Sequence, residues 1–123
     1  MSANSREFTD FVLDQLAPLR DLSAARLFGG VGIRAEGCMF ALIMRGALYF
    51  ASDDETRPHY EALGSARFSY QTRARRVETK FFEVPADMLD DREQLLSFAR
   101  AAVGVARKAA LARASRGKKR PPA

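Results

Sequence analysis

At 123 residues the chain has the size of one domain and is long enough to bury a core without disulfide or metal support. A hydrophobic content of 47% with 10% aromatics excludes an intrinsically disordered chain, and a single cysteine, Cys38, excludes an internal disulfide and fits a reducing, cytoplasmic setting. The formal charge of +5 belongs to the C-terminal end: residues 105–123 carry seven basic side chains and no acidic one, while residues 1–104 set 13 Lys and Arg against all 15 Asp and Glu, a net −2.

No apolar run approaches the roughly 20 residues that span a bilayer, and MSANSREFTD lacks the order of a secretory signal, so no membrane partner is expected. Residues 4–16 read as a helix, because Phe8, Phe11, Val12 and Leu16 fall on one stripe and Pro18 stops it. Asp21 to Ala25 read as a connector. From Arg26 to Phe50, three short apolar runs are broken by Glu36-Gly37 and Arg45-Gly46, which predicts a three-stranded antiparallel meander. Cys38 to Met44 is apolar throughout and reads as a central strand covered on both sides. Residues 52–64 predict a short helix, with Thr56 as its cap, Pro58 in its first turn and Gly64 at its exit. Two further strands, 66–72 and 77–84, flank the basic turn Arg73-Ala74-Arg75-Arg76, and Pro85 ends the second. Asp90 and Glu93 mark the start of a last helix, running through an alanine-rich stretch to about residue 114. Ser115-Arg116-Gly117 and Pro121-Pro122 then end any order, leaving a flexible tail.

The expected fold is therefore α+β: two layers, a five-stranded antiparallel sheet and helices in the order α-β-β-β-α-β-β-α. Residues 1–106 form the domain, and 107–123 are a basic helix end and tail.

Few residues offer chemistry. Gly29-Gly30 suggests a phosphate-cradling loop, yet Gly30, Gly32 and Gly37 do not keep the dinucleotide-binding spacing, and a bulge or tight bend is the better reading. His59 is the only histidine, with no second ligand at metal spacing; Cys38 reads as a small core hydrophobe. Asp53-Asp54-Glu55 and Asp90-Asp91 precede predicted helices, where the helix dipole accounts for them. No catalytic, cofactor or metal set emerges, and the chain is not expected to be an enzyme.

The candidate nucleic-acid contacts are Arg73, Arg75 and Arg76 in the turn, and Arg107, Lys108, Arg113, Arg116, Lys118, Lys119 and Arg120 at the end. Tyr70, Phe81 and Phe82 lie near the turn, and aromatics beside arginines can stack single-stranded bases; core packing and a solvated hairpin tip is the plainer reading. The tail carries two readings, a phosphate-backbone binder and a solubilising end. An unpaired sheet edge leaves a homodimer open.

Leu27-Phe28-Gly29-Gly30-Val31-Gly32-Ile33, Gly37-Cys38-Met39-Phe40-Ala41-Leu42-Ile43 and Leu48-Tyr49-Phe50 together resemble the N-terminal domain of the TfoX/Sxy family, as do Phe68-Ser69-Tyr70 and Phe81-Phe82-Glu83-Val84-Pro85. The resemblance spans roughly residues 8–106. It implies a two-layer α+β domain and a role in DNA transformation (competence), where family members act with the cyclic-AMP receptor protein in transcription regulation. It supplies no catalytic residues, and the family's C-terminal helical domain has no counterpart before Ala123. The resulting expectation is a non-enzymatic regulatory domain working through protein contacts. The alternative is a non-specific nucleic-acid binder using the tail and the basic hairpin; a small ligand-binding domain would need a deep polar pocket.

Overall fold

The computed structural model describes residues 4–27 and 29–118. In chain order the elements are α1 (Asn4–Gln15), β1 (Ser23–Leu27), β2 (Gly30–Ala35), β3 (Cys38–Met44), β4 (Ala47–Ala51), α2 (Arg57–Ala62), β5 (Arg67–Gln71), β6 (Arg76–Glu83), α3 (Ala86–Leu89) and α4 (Arg92–Lys118). The α+β class and the antiparallel sheet are as expected from the sequence, but the sheet has six strands, ordered β1-β2-β3-β4-β6-β5. The additional strand is β1, in what reads as a connector. Its sequence, SAARL, lacks apolar alternation and is largely exposed; backbone pairing with β2, from Ser23 opposite Arg34 to Leu27 opposite Gly30, makes it a strand.

Tight turns set the meander. Glu36-Gly37 and Arg45-Gly46 both have left-handed backbone at each position, with φ between 53° and 80°, the geometry that two-residue hairpins need to match strand twist. Between β2 and β3 the register slips, so that Ile33 faces Ala41 and Arg34 faces Met39. Phe40 is the extra residue of this bulge, and both Phe40 and Ala41 reach the core, fully buried.

All helices pack on one face of the sheet. Ile33, Ile43, Leu48, Phe50, Phe82 and Val84 interlock there with Val12 and Leu16 of α1, Tyr60 of α2, Met88 of α3, and Leu95, Ala99 and Val103 of α4. Tyr60 stacks on Phe82 at 5.5 Å and meets Phe98 edge-on at 5.6 Å. Burial pushes the Tyr60 phenol well above its ordinary value. β3 is central, but helices cover only one of its faces. Its continuous apolar run reflects the bulge and the character of the other face, and the expectation of cover on both sides is corrected.

The helix ends follow local chemistry. The Asp91 carboxylate accepts the Gln94 N–H at 3.2 Å and starts α4. Asp53 and Thr56 bracket the entry to α2: Asp53 Oδ1 accepts the N–H groups of Glu55 and Thr56 at 3.0 and 2.9 Å, and Thr56 Oγ1 accepts that of Asp53 at 3.0 Å. Pro58 lies in the first turn, and Gly64 leaves with φ +73°. α4 is continuous to Lys118, past the expected end near residue 114, because alanines at 109, 110, 112 and 114 favour helix and one glycine at 117 costs only about 1 kcal/mol. Lys119, Arg120 and the Pro121-Pro122 stop lie outside the described residues, as does Phe28 of the family-like segment.

Candidate interaction surface

The second face of the sheet carries the side chains that the alternation turns away from the helices. Gly32 opposite Leu42, Arg34 opposite Met39, Leu42 opposite Tyr49, and Met44 opposite Ala47 all fall on it, and β6 and β5 add Phe81, Val77 and Tyr70. None of these residues belongs to the core cluster. The glycines matter here. A Cβ at Gly30 would run into the Ile43 carbonyl and the Met44 thioether, and one at Gly32 would lie 2.9 Å from Met39 Sδ. β2 therefore forms a low floor over which Met39 and Met44 lie.

Beside that floor runs a ladder of aromatic rings. Tyr49 and Phe68 are 5.2 Å apart between centroids, and Phe68 and Tyr70 6.2 Å. Tyr70 is 46% exposed, whereas Leu42 at the centre is 5% exposed, shielded by its sheet neighbours. Burial, and then the carboxylate of Glu83, push the Tyr49 phenol above its ordinary value, with Arg45 acting in the other direction. The phenol is thus neutral at physiological pH and flanked by one charge of each sign. A surface of Tyr, Phe and Met edged by arginine has the composition of a protein-interface core.

The basic residues expected from the sequence lie elsewhere. Arg73, Arg75 and Arg76 are exposed at the β5–β6 tip, where Thr72 ties the turn by accepting the N–H groups of Ala74 and Arg75 at 3.2 and 3.1 Å. Arg76 donates to Ser69 Oγ at 2.7 Å. Arg107 pairs with Glu36 at 3.6 Å, and Lys108 reaches Asp53 and Glu55 at 4.0 and 3.9 Å. Arg113 is exposed; Arg116 and Lys118 continue the α4 backbone. Strand register places the Glu36-Gly37 turn, the segment after β4 and the β5–β6 tip at one end of the sheet, and α4 reaches that end through Arg107 and Lys108. The two basic groups therefore share an end of the molecule. Of the three aromatics near the turn, Phe82 is buried in the core beneath the Arg67 guanidinium at 5.1 Å, while Tyr70 and Phe81 face the open side.

Among the described residues, no group of three His, Cys, Asp or Glu side chains is placed to hold a metal ion, and no helix is long and apolar enough to cross a membrane. His59 lines a mainly apolar hollow of about 230 Å³ with Tyr60, Ser97 and Phe98, between α2 and α4. Cys38 is a half-buried free thiol at the start of β3. Reading the sequence alone passes over Tyr49, Phe68, Met39 and Met44. Their signal is the alternation Met39, Leu42, Met44 against Ala41, Ile43, which a run without polar residues conceals.

DNA transformation protein TfoX1 of Aliivibrio fischeri (strain ATCC 700601 / ES114) is 34% identical over 58 residues. The match takes in 47% of this chain and 28% of that protein, so the chain corresponds to well under half of the relative's length. The family model of the TfoX N-terminal domain matches residues 14–106, which takes in α1 from Asp14 on, the whole sheet and α4 as far as its last buried turn. The chain belongs to the TfoX N-terminal domain family.

Proposed function

We propose that this chain is a non-enzymatic regulatory domain of DNA transformation, working in the cytoplasm through protein contacts made by the open face of its sheet. The observation that carries this reading is that face: Met39, Met44, Tyr49, Phe68 and Phe81, each half-buried, with the exposed ring of Tyr70, all outside the core that the helices cover. Apolar patches of that kind on a folded domain commonly mark interaction sites. The family supplies the setting. A transcription regulator resembling the cyclic-AMP receptor protein is the partner class to which the resemblance points.

The test is a capture experiment with the full chain and with a Tyr49→Ser, Tyr70→Ser variant, read beside competence-gene transcript levels in cells lacking the chain and in cells complemented with either form. The expected result is a transcription regulator captured by the wild type, at least about tenfold less by the variant, with transcripts restored only by the wild type. Equal capture by both forms, or transcript levels indifferent to deletion, overturns the proposal.

A second reading draws on the basic end. α4 from Arg107 to Ser115 is exposed on nearly every side and shares its end of the sheet with Arg73, Arg75 and Arg76. That arrangement supports non-specific contact with nucleic-acid phosphates. Marked weakening of DNA retardation at low salt on truncation after Val105 is the expected outcome; unchanged retardation removes the α4 end from the reading.

A further inference from the structure

On the helical side of the domain, between the segment after α1 and the flank of α4, lies a hollow of about 290 Å³. Its floor is apolar and buried: Leu19 is 8% exposed, Ala35 1% and Val103 5%. Its rim is charged. Arg20, Arg100 and Arg107 stand around it, and among the described residues that line it Glu36 is the one carboxylate. The three arginines come from distant parts of the sequence, and neither Arg20 nor Arg100 is suggestive alone. Arg100 and Arg107 are seven residues apart on α4, two turns, so they share one side of the helix about 10 Å apart. Arg20 is set against them by the backbone: its carbonyl accepts the Glu36 N–H at 3.2 Å, and the chain reverses at Asp21 with φ +54°.

The electrostatics are unbalanced. Glu36 is already engaged with Arg107 at 3.6 Å, and among the described residues neither Arg20 nor Arg100 has an ion-pair partner. Three guanidinium groups against one carboxylate leave an excess of two positive charges over a low-dielectric floor, which focuses the field into the hollow. Guanidinium is the side chain best matched to phosphate, because its planar fork donates two parallel hydrogen bonds to two oxygens.

We propose that this hollow is a phosphate-binding site, with Arg20 and Arg100 as its free donors and Arg107 released to it from Glu36 when the ligand arrives. The ligand chemistry is a phosphate group. Its source is either a free phosphorylated small molecule or one phosphodiester of a nucleic-acid strand that continues over the basic end of α4. The site lies on the opposite side of the sheet from the surface proposed for protein contacts and does not rest on that proposal.

The experiment titrates the full chain with inorganic pyrophosphate, followed by NMR and calorimetry, and in parallel with a short fluorescein-labelled single-stranded DNA, followed by anisotropy. Saturable pyrophosphate binding is expected, with resonance shifts centred on Arg20, Arg100 and Arg107. Arg20→Gln with Arg100→Gln should weaken it by about tenfold or more. Glu36→Gln, which removes the competing carboxylate, should tighten it. Arg26→Gln, on the edge strand β1 and outside the hollow, should leave it unchanged. Both arginine sites are exposed and make no described ion pair, so unfolding is not the expected outcome; an unchanged circular-dichroism spectrum and melting temperature check this. Displacement of DNA by pyrophosphate assigns the phosphate to a nucleic-acid strand, and pyrophosphate binding without displacement assigns it to a small molecule. Absence of saturable binding, or equal affinity in the wild type, the double variant and Glu36→Gln, overturns the site.

Discussion

Two glycines on β2 share a face but not an energetic role. A methyl group on Gly30 would meet a backbone carbonyl, that of Ile43, which is held in the β2–β3 ladder and has nowhere to move. On Gly32 it would meet Met39 Sδ at 2.9 Å and Leu27 Cδ2 at 3.3 Å, both ends of side chains, the first of them flexible. Gly30→Ala is therefore expected to destabilise by about 1–3 kcal/mol and Gly32→Ala by less than about 1 kcal/mol, measured by urea unfolding. The reverse order would mean that the ladder yields more readily than the methionine. Asp53 gives a pH-dependent case. The Thr56 N–H, then the Thr56 hydroxyl and the Glu55 N–H, with Lys108 nearby, hold its carboxyl below the ordinary value of 3.8 against a smaller opposing effect of burial. A depressed folded value means that the charged form stabilises the fold: the contribution is complete above pH 3.8 and is lost as pH falls from there through the folded value. Asp53→Asn keeps an acceptor that does not titrate and is expected to flatten stability against pH below about pH 4. Asp53→Ala, which removes the acceptor as well, should cost about 0.5–2 kcal/mol at neutral pH. An acid limb identical in wild type and Asp53→Asn would dismiss the carboxylate's part.

At the scale of elements, α4 divides into two. Up to Ala106 its side chains alternate between the core and solvent; from Arg107 to Ser115 only Ala110 is partly covered, and Leu111 is 62% exposed. Truncation after Ala106 removes exposed pairs with Glu36, Asp53 and Glu55, each worth about 0–1 kcal/mol. The truncated chain is expected to lose helical ellipticity in proportion to the missing turns while its urea midpoint moves little. A collapse in stability would show that the extension is part of the fold. Most elements were legible in the sequence because their signals are local: charged-residue-plus-glycine turns, a proline in a first turn, and the periodicity of α1. β1 and α3 were not. SAARL becomes a strand only because β2 offers a ladder, and Ala86–Leu89 is a single turn between Pro85 and Asp90. The proposed phosphate hollow was illegible for the same reason, since only the folded chain brings Arg20 beside Arg100. The open face stayed hidden because an apolar strand reads alike whether a helix or nothing lies over it.

For the molecule as a whole, the helices divide the surface into parts with different physics. One side of the sheet is apolar, aromatic and poor in charge; one end of the molecule is basic, with Arg73, Arg75 and Arg76 at the hairpin tip and Arg107, Lys108 and Arg113 on α4. Binding through the first depends on apolar burial and changes little with salt. Binding through the second releases counterions and weakens steeply, by orders of magnitude between about 50 and 200 mM salt when many phosphates are neutralised. The two are separable by variant as well as by salt. Tyr49→Ser with Tyr70→Ser should abolish partner capture and leave DNA retardation intact. Truncation after Ala106 should weaken retardation, flatten its salt slope by about one unit for each phosphate no longer neutralised, and leave capture intact. Residual retardation after truncation would locate the remaining binding at the hairpin or at Arg20 and Arg100; its loss on adding Arg73→Gln, Arg75→Gln and Arg76→Gln assigns it to the hairpin, and its loss on adding Arg20→Gln and Arg100→Gln to the hollow. If one change abolished both activities in a chain that still folds, the two surfaces would be a single site. The separation inferred from the sheet's two-sidedness would then fail, because protein and nucleic acid would be competing for the same residues.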